Sequence, residues 1–327
     1  MASPPPGGVY VPVPTFFVGK TAANYNAAAA PFDAETQSKH SIHLAKSGIR
    51  GLVILGSTGE AVHLTNKERF EVLSSQRKAL DEAGFKDYPI IAGTATQDIE
   101  GTVEQLQEAQ RAGAQWGLCL APGYFAGAVT QEGIVKWFQA VADRSPIPVM
   151  IYHYPGVSNN VKVTPSTYAT LSAHPNIVGC KLSHGDISYH AQIGANPSID
   201  HSHFHTFTGL GQQLLPILAL GCAGTIDGSA GFFPKSVVHL YDLCLKEGKT
   251  AEDIKEARTL QYKISAVEEL VVRFGTVGIK EAVSRVLGLG ERDGTRLPLV
   301  GGIPGGDAEW ENWKGAVGEL EAVEKSL

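Results

Sequence analysis

Eight short, mostly apolar runs separated by longer amphipathic stretches constrain the fold of this chain more than any other feature. They are Gly8 to Pro14, Gly51 to Leu55, Ile90 to Gly93, Gly117 to Ala121, Val149 to Tyr152, Ile177 to Leu182, Phe204 to Thr208 and Gly224 to Asp227. Each is short enough for a strand buried on both faces. Most intervening segments carry helix signals. Thr65-Asn66-Lys67-Glu68 is a capping box, Thr130 precedes an amphipathic stretch, Thr164-Pro165 sets a hydroxyl before a first-turn proline, and Gly113 follows a helical segment as a C-terminal glycine would. Strand and helix alternating eight times predict an α/β fold, a (β/α)8 TIM barrel over residues 1–235, with a doubly wound open sheet as the rival. Residues 236–327 read as a C-terminal helical extension, with Thr250 capping a long amphipathic helix that reaches Arg273. Its apolar face requires a partner surface, either the barrel or another subunit.

Composition narrows the function. A net charge of -6 argues against nucleic acid and acidic membranes as partners. No run of apolar residues is long enough to span a bilayer. The four cysteines at 119, 180, 222 and 244 fit no zinc or disulfide spacing, which predicts reduced thiols. The N-terminus has no signal- or transit-peptide pattern, so a cytoplasmic location is expected.

Lys181 is the most informative residue, because it sits inside the apolar run Ile177-Val178-Gly179-Cys180-Lys181-Leu182. Burial of an ammonium favours the neutral amine, the form that attacks a carbonyl to make a Schiff base. A lysine snorkelling from a strand end, or paired with a carboxylate, explains the same position. Gly56-Ser57-Thr58-Gly59-Glu60 follows the second run directly, on the catalytic face of a barrel, where hydroxyls and free amides form a small nest suited to a carboxylate. Tyr152 and Tyr124 close the fifth and fourth runs, and a phenol at a strand end either relays protons or packs.

The ordered set of a Gly-Ser-Thr-Gly-Glu after the second run, Tyr152-His153-Tyr154-Pro155 after the fifth and Gly179-Cys180-Lys181 in the sixth resembles the dihydrodipicolinate synthase / N-acetylneuraminate lyase family of class I pyruvate aldolases. The resemblance runs from about Val9 to Val286 and includes Gly221-Cys222-Ala223-Gly224-Thr225-Ile226. It implies a barrel with a helical extension, assembled as a homotetramer or homodimer. It implies an imine between Lys181 and pyruvate, a proton relay through Tyr152, Thr58 and Tyr124 (the last often from a neighbouring subunit), and a carboxylate site at Ser57 and Thr58. In that relay Thr58 would link to Tyr152. Gly59, with the amides and carbonyls near Asp227 and Gly228, would complete the substrate-binding set, joined by His153, a departure from the family that suits a polyhydroxylated or neutral aldehyde. No metal or organic cofactor is expected beyond the covalent imine itself. The partners implied are pyruvate and a small aldehyde or keto-deoxy sugar acid.

Departures from the family pattern narrow the substrate. The loop Pro155-Gly156-Val157-Ser158-Asn159-Asn160 lacks the arginine with which dihydrodipicolinate synthases grip a semialdehyde carboxylate. His153 replaces the usual Asn, and Gly123 replaces an aromatic. The pattern is similar to that of fungal 2-keto-3-deoxy sugar acid aldolases acting on L-threo-3-deoxy-hexulosonate. 4-Hydroxy-2-oxoglutarate aldolase and dihydrodipicolinate synthase are the alternatives. A catalytically silent, pyruvate-binding barrel is the reading from a different class.

Other polar residues have plainer expectations. His201, His203 and His205 alternate as metal ligands on a strand would, but at the wrong end of the barrel, and a solvated polar edge is favoured. Glu60 is expected to brace its loop, Asp186 to cap a helix, and Lys280 to be structural, while His184 stays open between capping and substrate contact.

Overall fold

All eight runs form strands that pair in parallel, in chain order, and close on themselves. The computed structural model describes residues 2–327. The strands are β1 (Gly8–Pro12), β2 (Gly51–Ile54), β3 (Ile90–Gly93), β4 (Trp116–Leu120), β5 (Val149–His153), β6 (Ile177–Leu182), β7 (His205–Thr208) and β8 (Gly224–Ile226). The pairing of β1 with β8 closes the barrel and removes the open-sheet rival. Between them run α1 (Ala34–Lys46), α2 (Asn66–Glu82), α3 (Ile99–Arg111), α4 (Gln131–Ala142), α5 (Pro165–Ser172), α6 (Ile187–Gly194) and α7 (Leu214–Leu218). The eighth barrel helix is α8 (Pro234–Leu245), so the division drawn after residue 235 falls inside it. Then come α9 (Ala251–Leu287), α10 (Gly306–Glu311) and α11 (Lys314–Ser326).

Strand alternation sorts the core into two layers. Tyr10, Val53, Ile91, Leu118, Met150, Val178, Phe207 and Ile226 fill the barrel interior, roughly one from each strand. Their outward neighbours, such as Val9, Leu52, Ile90, Cys119, Ile151 and Cys180, join the helices in the larger cluster. Sequence signals for helix starts hold at Thr65, where both halves of the capping box form, and at Thr130, which accepts from the Gly133 amide. Thr164 is different. Its hydroxyl lies among the side chains of Gln131, Ser166 and Thr167 and caps no backbone amide.

Thr250 does cap α9, with Asp253 completing the box. The helix departs from helical geometry at Gly275, where φ is 54° and ψ is -136°. Only glycine adopts such angles without cost, so the chain can turn there and continue. This bend lies two residues beyond the end expected at Arg273. α9 crosses α8 and the short turns 211–213 and 229–231 that follow β7 and β8. It therefore lies over the mouth of the barrel.

A buried ionic network ties this tail to the turn after β2. Glu60 is 2% exposed and stands in the left-handed region, with φ of 52°. One of its carboxylate oxygens takes the Lys280 ammonium; the other accepts from the Arg296 amide at 2.9 Å and faces His63 Nδ1 at 3.0 Å. Lys280 Nζ also donates to the Gly294 carbonyl at 2.5 Å. Lys280 and Arg296 both lie over the Phe17 ring, at 4.4 and 4.5 Å. Burial lowers the Lys280 pKa to about 8, against the opposing pull of Glu60. Glu60 thus braces its loop as expected, but through groups supplied by the distant tail. Removing one member of such a pair strands a buried charge. Lys280→Met should destabilise the protein by about 3 kcal/mol, read as a lower Tm, and an unchanged Tm would contradict the bracing role.

Candidate active site

The C-terminal ends of the strands open into a cavity of about 660 Å³, floored by the barrel and walled on one side by α9. The pairing register explains its floor. Tyr152 on β5 stands opposite Lys181 on β6, and Lys181 opposite Phe207 on β7. Register partners in parallel strands share a face, so all three point inward. Lys181 is 4% exposed, and its Nζ lies 4.6 Å from the centre of the Tyr152 ring. Among the described residues no ion pair reaches it. Burial lowers its pKa to about 7, while the negative charge of Asp227 pulls the other way. A large fraction of the amine is therefore neutral at physiological pH.

Tyr152 hydroxyl and Ser57 Oγ are 3.0 Å apart. Burial raises the phenol pKa, with the Ser57 bond opposing, so Tyr152 stays protonated. The partner of Tyr152 is thus Ser57, where the sequence pointed to Thr58. Adjacent residues on a turn face different ways, and no periodicity says which one meets the phenol. Thr58 lines the cavity beside Ser57. The turn spends the amides of Gly59, Glu60 and Ala61 on the carbonyls of Gly56, Ser57 and Gly56, leaving those of Ser57 and Thr58 without a protein acceptor among the described residues. The expected nest is therefore narrower, and Gly59 is not part of it: its amide closes the turn and its carbonyl accepts from Thr15 at 2.7 Å.

Two further expectations are corrected, at His153 and Asp227, and Tyr124 is found away from its own chain's cavity. His153 follows inward-facing Tyr152 on the strand, so it faces outward, where its Nε2 meets the Val161 carbonyl at 3.0 Å and its ring lies 5.0 Å from that of His184. It is a buried packing histidine whose pKa burial lowers to about 4. The Asp227 side chain turns away from the cavity towards Ser229, at 2.8 Å from its amide, whereas Gly228 does line the cavity. Tyr124 is 75% exposed and stacks edge-on with Phe125, outside the cavity of its own chain.

The structure adds residues that the sequence reading missed. Ser183 and Tyr154 line the cavity. Ser183 stands two positions after Lys181, so strand alternation alone could have placed it on the same face. Gly209 is required by close approach, because a Cβ there would overlap Ser183 Oγ and touch Lys181 Cε. Val271, Phe274, Thr276 and Ile279 form the α9 wall, and Thr276 Oγ1 donates to the Ser57 carbonyl at 3.3 Å. Local sequence holds no signal for that wall, since it depends on tertiary packing.

His184 lines the cavity and packs between the rings of His153 and His190, each 5.0 Å away. Burial, then the neighbouring imidazoles, lowers its pKa to about 3, so it stays neutral. Asp186 caps α6 by accepting from the Tyr189 amide, as expected. His201, His203 and His205 spend ring nitrogens on the carbonyls of Asn196, Ala2 and Pro5, and His203 is buried. His203 and His205 thereby fasten the N-terminal segment beneath the barrel, in place of the solvated edge expected, while His201 bonds within its own loop.

A depressed Lys181 pKa has a direct readout. An amine that titrates near pH 7 should react with cyanate to half its maximum near that pH, while surface lysines are still gaining reactivity near their ordinary value of 10.5. Peptide mapping across a pH series would measure this. A Lys181 profile that follows the surface lysines would contradict the cavity's effect on it.

Comparison with known proteins completes the description. The model of the "Dihydrodipicolinate synthetase family" matches residues 22–302. The chain is 36% identical over 295 residues to the "Probable 4-hydroxy-2-oxoglutarate aldolase, mitochondrial" of Emericella nidulans, covering 90% of this chain and 89% of that protein. It is 34% identical over 290 residues to the L-threo-3-deoxy-hexylosonate aldolase of Hypocrea jecorina, covering 87% and 88%. Among solved structures, a dihydrodipicolinate synthase family protein from Coccidioides immitis superposes with a TM-score of 0.83 at 28% identity, covering 99% of each chain. At 24% identity, the pyruvate complex of the Acinetobacter baumannii dihydrodipicolinate synthase shares the fold with a TM-score of 0.82, covering 96% of this chain and 99% of that one.

Proposed function

The chain belongs to the dihydrodipicolinate synthetase family, and from that premise we propose that it is a class I aldolase that reversibly cleaves a 2-keto-3-deoxy sugar acid, such as L-threo-3-deoxy-hexulosonate, to pyruvate and an aldehyde. The observation that carries this reading is the charge distribution of the cavity. Lys181 is the one cation lining it among the described residues, and the groups beyond it are Ser183, His184, Gln212, Gln213 and the carboxylate of Glu269. Such a lining suits a neutral, hydroxyl-bearing aldehyde. The second carboxylate of 4-hydroxy-2-oxoglutarate, or that of aspartate semialdehyde, would meet no arginine or further lysine there.

In this reading the neutral Lys181 amine attacks the C2 carbonyl, and Tyr152 hands a proton to the departing oxygen as water leaves and the iminium forms. The iminium accepts the electrons of the C3–C4 bond as it breaks, the C4 hydroxyl gives its proton to the oxygen of Tyr152, and the aldehyde departs. The remaining enamine takes a proton at C3, and water releases pyruvate from Lys181. Ser57 orients the Tyr152 hydroxyl, and the amides of Ser57 and Thr58 hold the substrate carboxylate. The covalent imine takes the place of any organic cofactor or metal. Tyr124, exposed beside Phe125, acts from a neighbouring copy in a homodimer or homotetramer. No helix among the described residues is long and apolar enough to cross a membrane. A cytoplasmic site of action belongs to this reading, and cell fractionation tests it against the mitochondrial location in the name of the Emericella nidulans relative.

4-Hydroxy-2-oxoglutarate aldolase is the second reading, favoured by the identity to that same relative. Borohydride reduction with pyruvate, followed by peptide mapping, should find a pyruvyl adduct on Lys181 that is absent from Lys181→Ala; a folded protein without adduct would sink the imine mechanism. Tyr152→Phe should slow turnover by about 10²–10⁴-fold. Supplied with pyruvate, the enzyme should consume L-glyceraldehyde faster than glyoxylate or aspartate semialdehyde, and a preference for glyoxylate would install the second reading.

A further inference from the structure

The loop after β4 carries two aromatic rings into solvent on a backbone gripped by two other loops. Tyr124 and Phe125 are 75% and 73% exposed. A surface ring on a loose tip needs no explanation, but this tip is tied down. Gln97, in the loop before α3, extends its side chain to it, and the one Oε1 accepts from the amides of Gly123 and Tyr124, at 3.1 and 2.9 Å. The Gln97 carbonyl accepts from the indole of Trp137 on α4, at 2.8 Å, so its backbone is fixed as well. From the loop after β5, Asn159 Nδ2 donates to the Gly123 carbonyl at 3.0 Å. Asn159 stands in the left-handed region, with φ of 50°, which asparagine tolerates better than most residues. Gly123 completes the clamp by lacking a side chain. A Cβ there would stand 2.2 Å from the Ser158 carbonyl oxygen, so the aromatic of the family pattern has no room here. The clamping loop also reaches the cavity, which Tyr154 and Val157 line, and Ser158 Oγ donates to the Tyr154 carbonyl at 2.9 Å. The tip is thus braced on the rim of its own chain's cavity while its rings stand in solvent.

We propose that Gln97 and Asn159 are positioning residues for the reaction, which hold the tip in one conformation so that Tyr124 meets the site of a neighbouring copy already ordered. The inference rests on the reading that Tyr124 acts from a neighbouring copy. A loop that orders only on contact loses conformational freedom at every residue it fixes. A tip pinned beforehand avoids that loss and places the phenol in a single geometry. Gln97 serves as an acceptor alone, since its Oε1 makes both bonds and its Nε2 has no protein partner among the described residues. A carboxylate in the same place would do the same work. Asn159 serves as a donor, and an apolar side chain of similar size would release the Gly123 carbonyl.

Two substitutions at Gln97 separate the chemistry from the fold. Gln97→Glu keeps the acceptor, whereas Gln97→Met keeps the length and loses it. Amide hydrogen exchange read by peptide mass should show the segment holding Gly123 and Tyr124 exchanging faster in Gln97→Met and at the parent's rate in Gln97→Glu. Turnover of pyruvate with L-glyceraldehyde is measured at concentrations where sedimentation shows each variant assembled as the parent is. There kcat should fall roughly tenfold in Gln97→Met, recover in Gln97→Glu, and fall again in Asn159→Leu. In a Tyr124→Phe background Gln97→Met should cost little more, because both changes act through one phenol. A purely structural clamp would lower Tm and cost the same with or without that phenol. Unchanged exchange in Gln97→Met, parent-like kcat in that variant when Tyr124→Phe is slow, or equal losses in both backgrounds overturns the proposal. Full turnover in Tyr124→Phe removes instead the reading of Tyr124, and the inference falls with it.

Discussion

The cost of holding an amine away from water governs this molecule. Lys181 stands inside a barrel otherwise filled by Tyr10, Val53, Ile91, Met150, Phe207 and Ile226. That setting disfavours its charge and leaves a nucleophile at neutral pH. The other features near the floor follow from it. Tyr152 presents a ring to the nitrogen and a hydroxyl to Ser57, Gly209 has no side chain to displace it, and the charge of Asp227 opposes the effect of burial without an ion pair.

Above that floor the cavity needs a wall, and the C-terminal tail provides one. The wall from α9 exists because Glu60, on the turn that carries Ser57 and Thr58, draws Lys280 and the Arg296 amide into the interior. The Thr276 bond to the Ser57 carbonyl adds a second tie between the same two regions. The Ser57-Thr58 turn, Tyr152 and the wall are therefore mechanically one unit, although their residues span more than two hundred positions of sequence.

Much of this was legible beforehand, for identifiable reasons. Fully buried strands leave apolar runs, so all eight strands could be placed within a few residues. A lysine within such a run is conspicuous, and so is a glycine-flanked hydroxyl turn that follows one directly. The errors have equally physical sources. His153 was assigned to the cavity although strand alternation sends the neighbour of an inward tyrosine outward. The family resemblance pairs Thr58 with Tyr152, and composition does not fix which hydroxyl of a turn meets a phenol. Gly59 stands next to the nest hydroxyls in sequence, and only the folded turn shows that its amide is already taken. Asp227 follows the inward-facing Ile226, and strand alternation sends its side chain away from the cavity, where Ser229 meets it. Nothing local in 251–287 announces that its apolar side faces a ligand cavity and not merely another helix.

The origin of the cavity wall has a consequence for how such a protein can diversify. The groups poised for bond making come from β2, β5 and β6, while much of the surface that would meet the far end of a substrate comes from a helix added after the barrel is complete. Reactivity and selectivity are thus encoded in separate stretches of gene. Drift on the cavity-facing side of 271–279 can reshape what the far end of the cavity accepts while the floor that holds Lys181 is inherited unchanged. Gly275 adds to that freedom: a bend with open space around it tolerates altered neighbours without transmitting strain to the barrel.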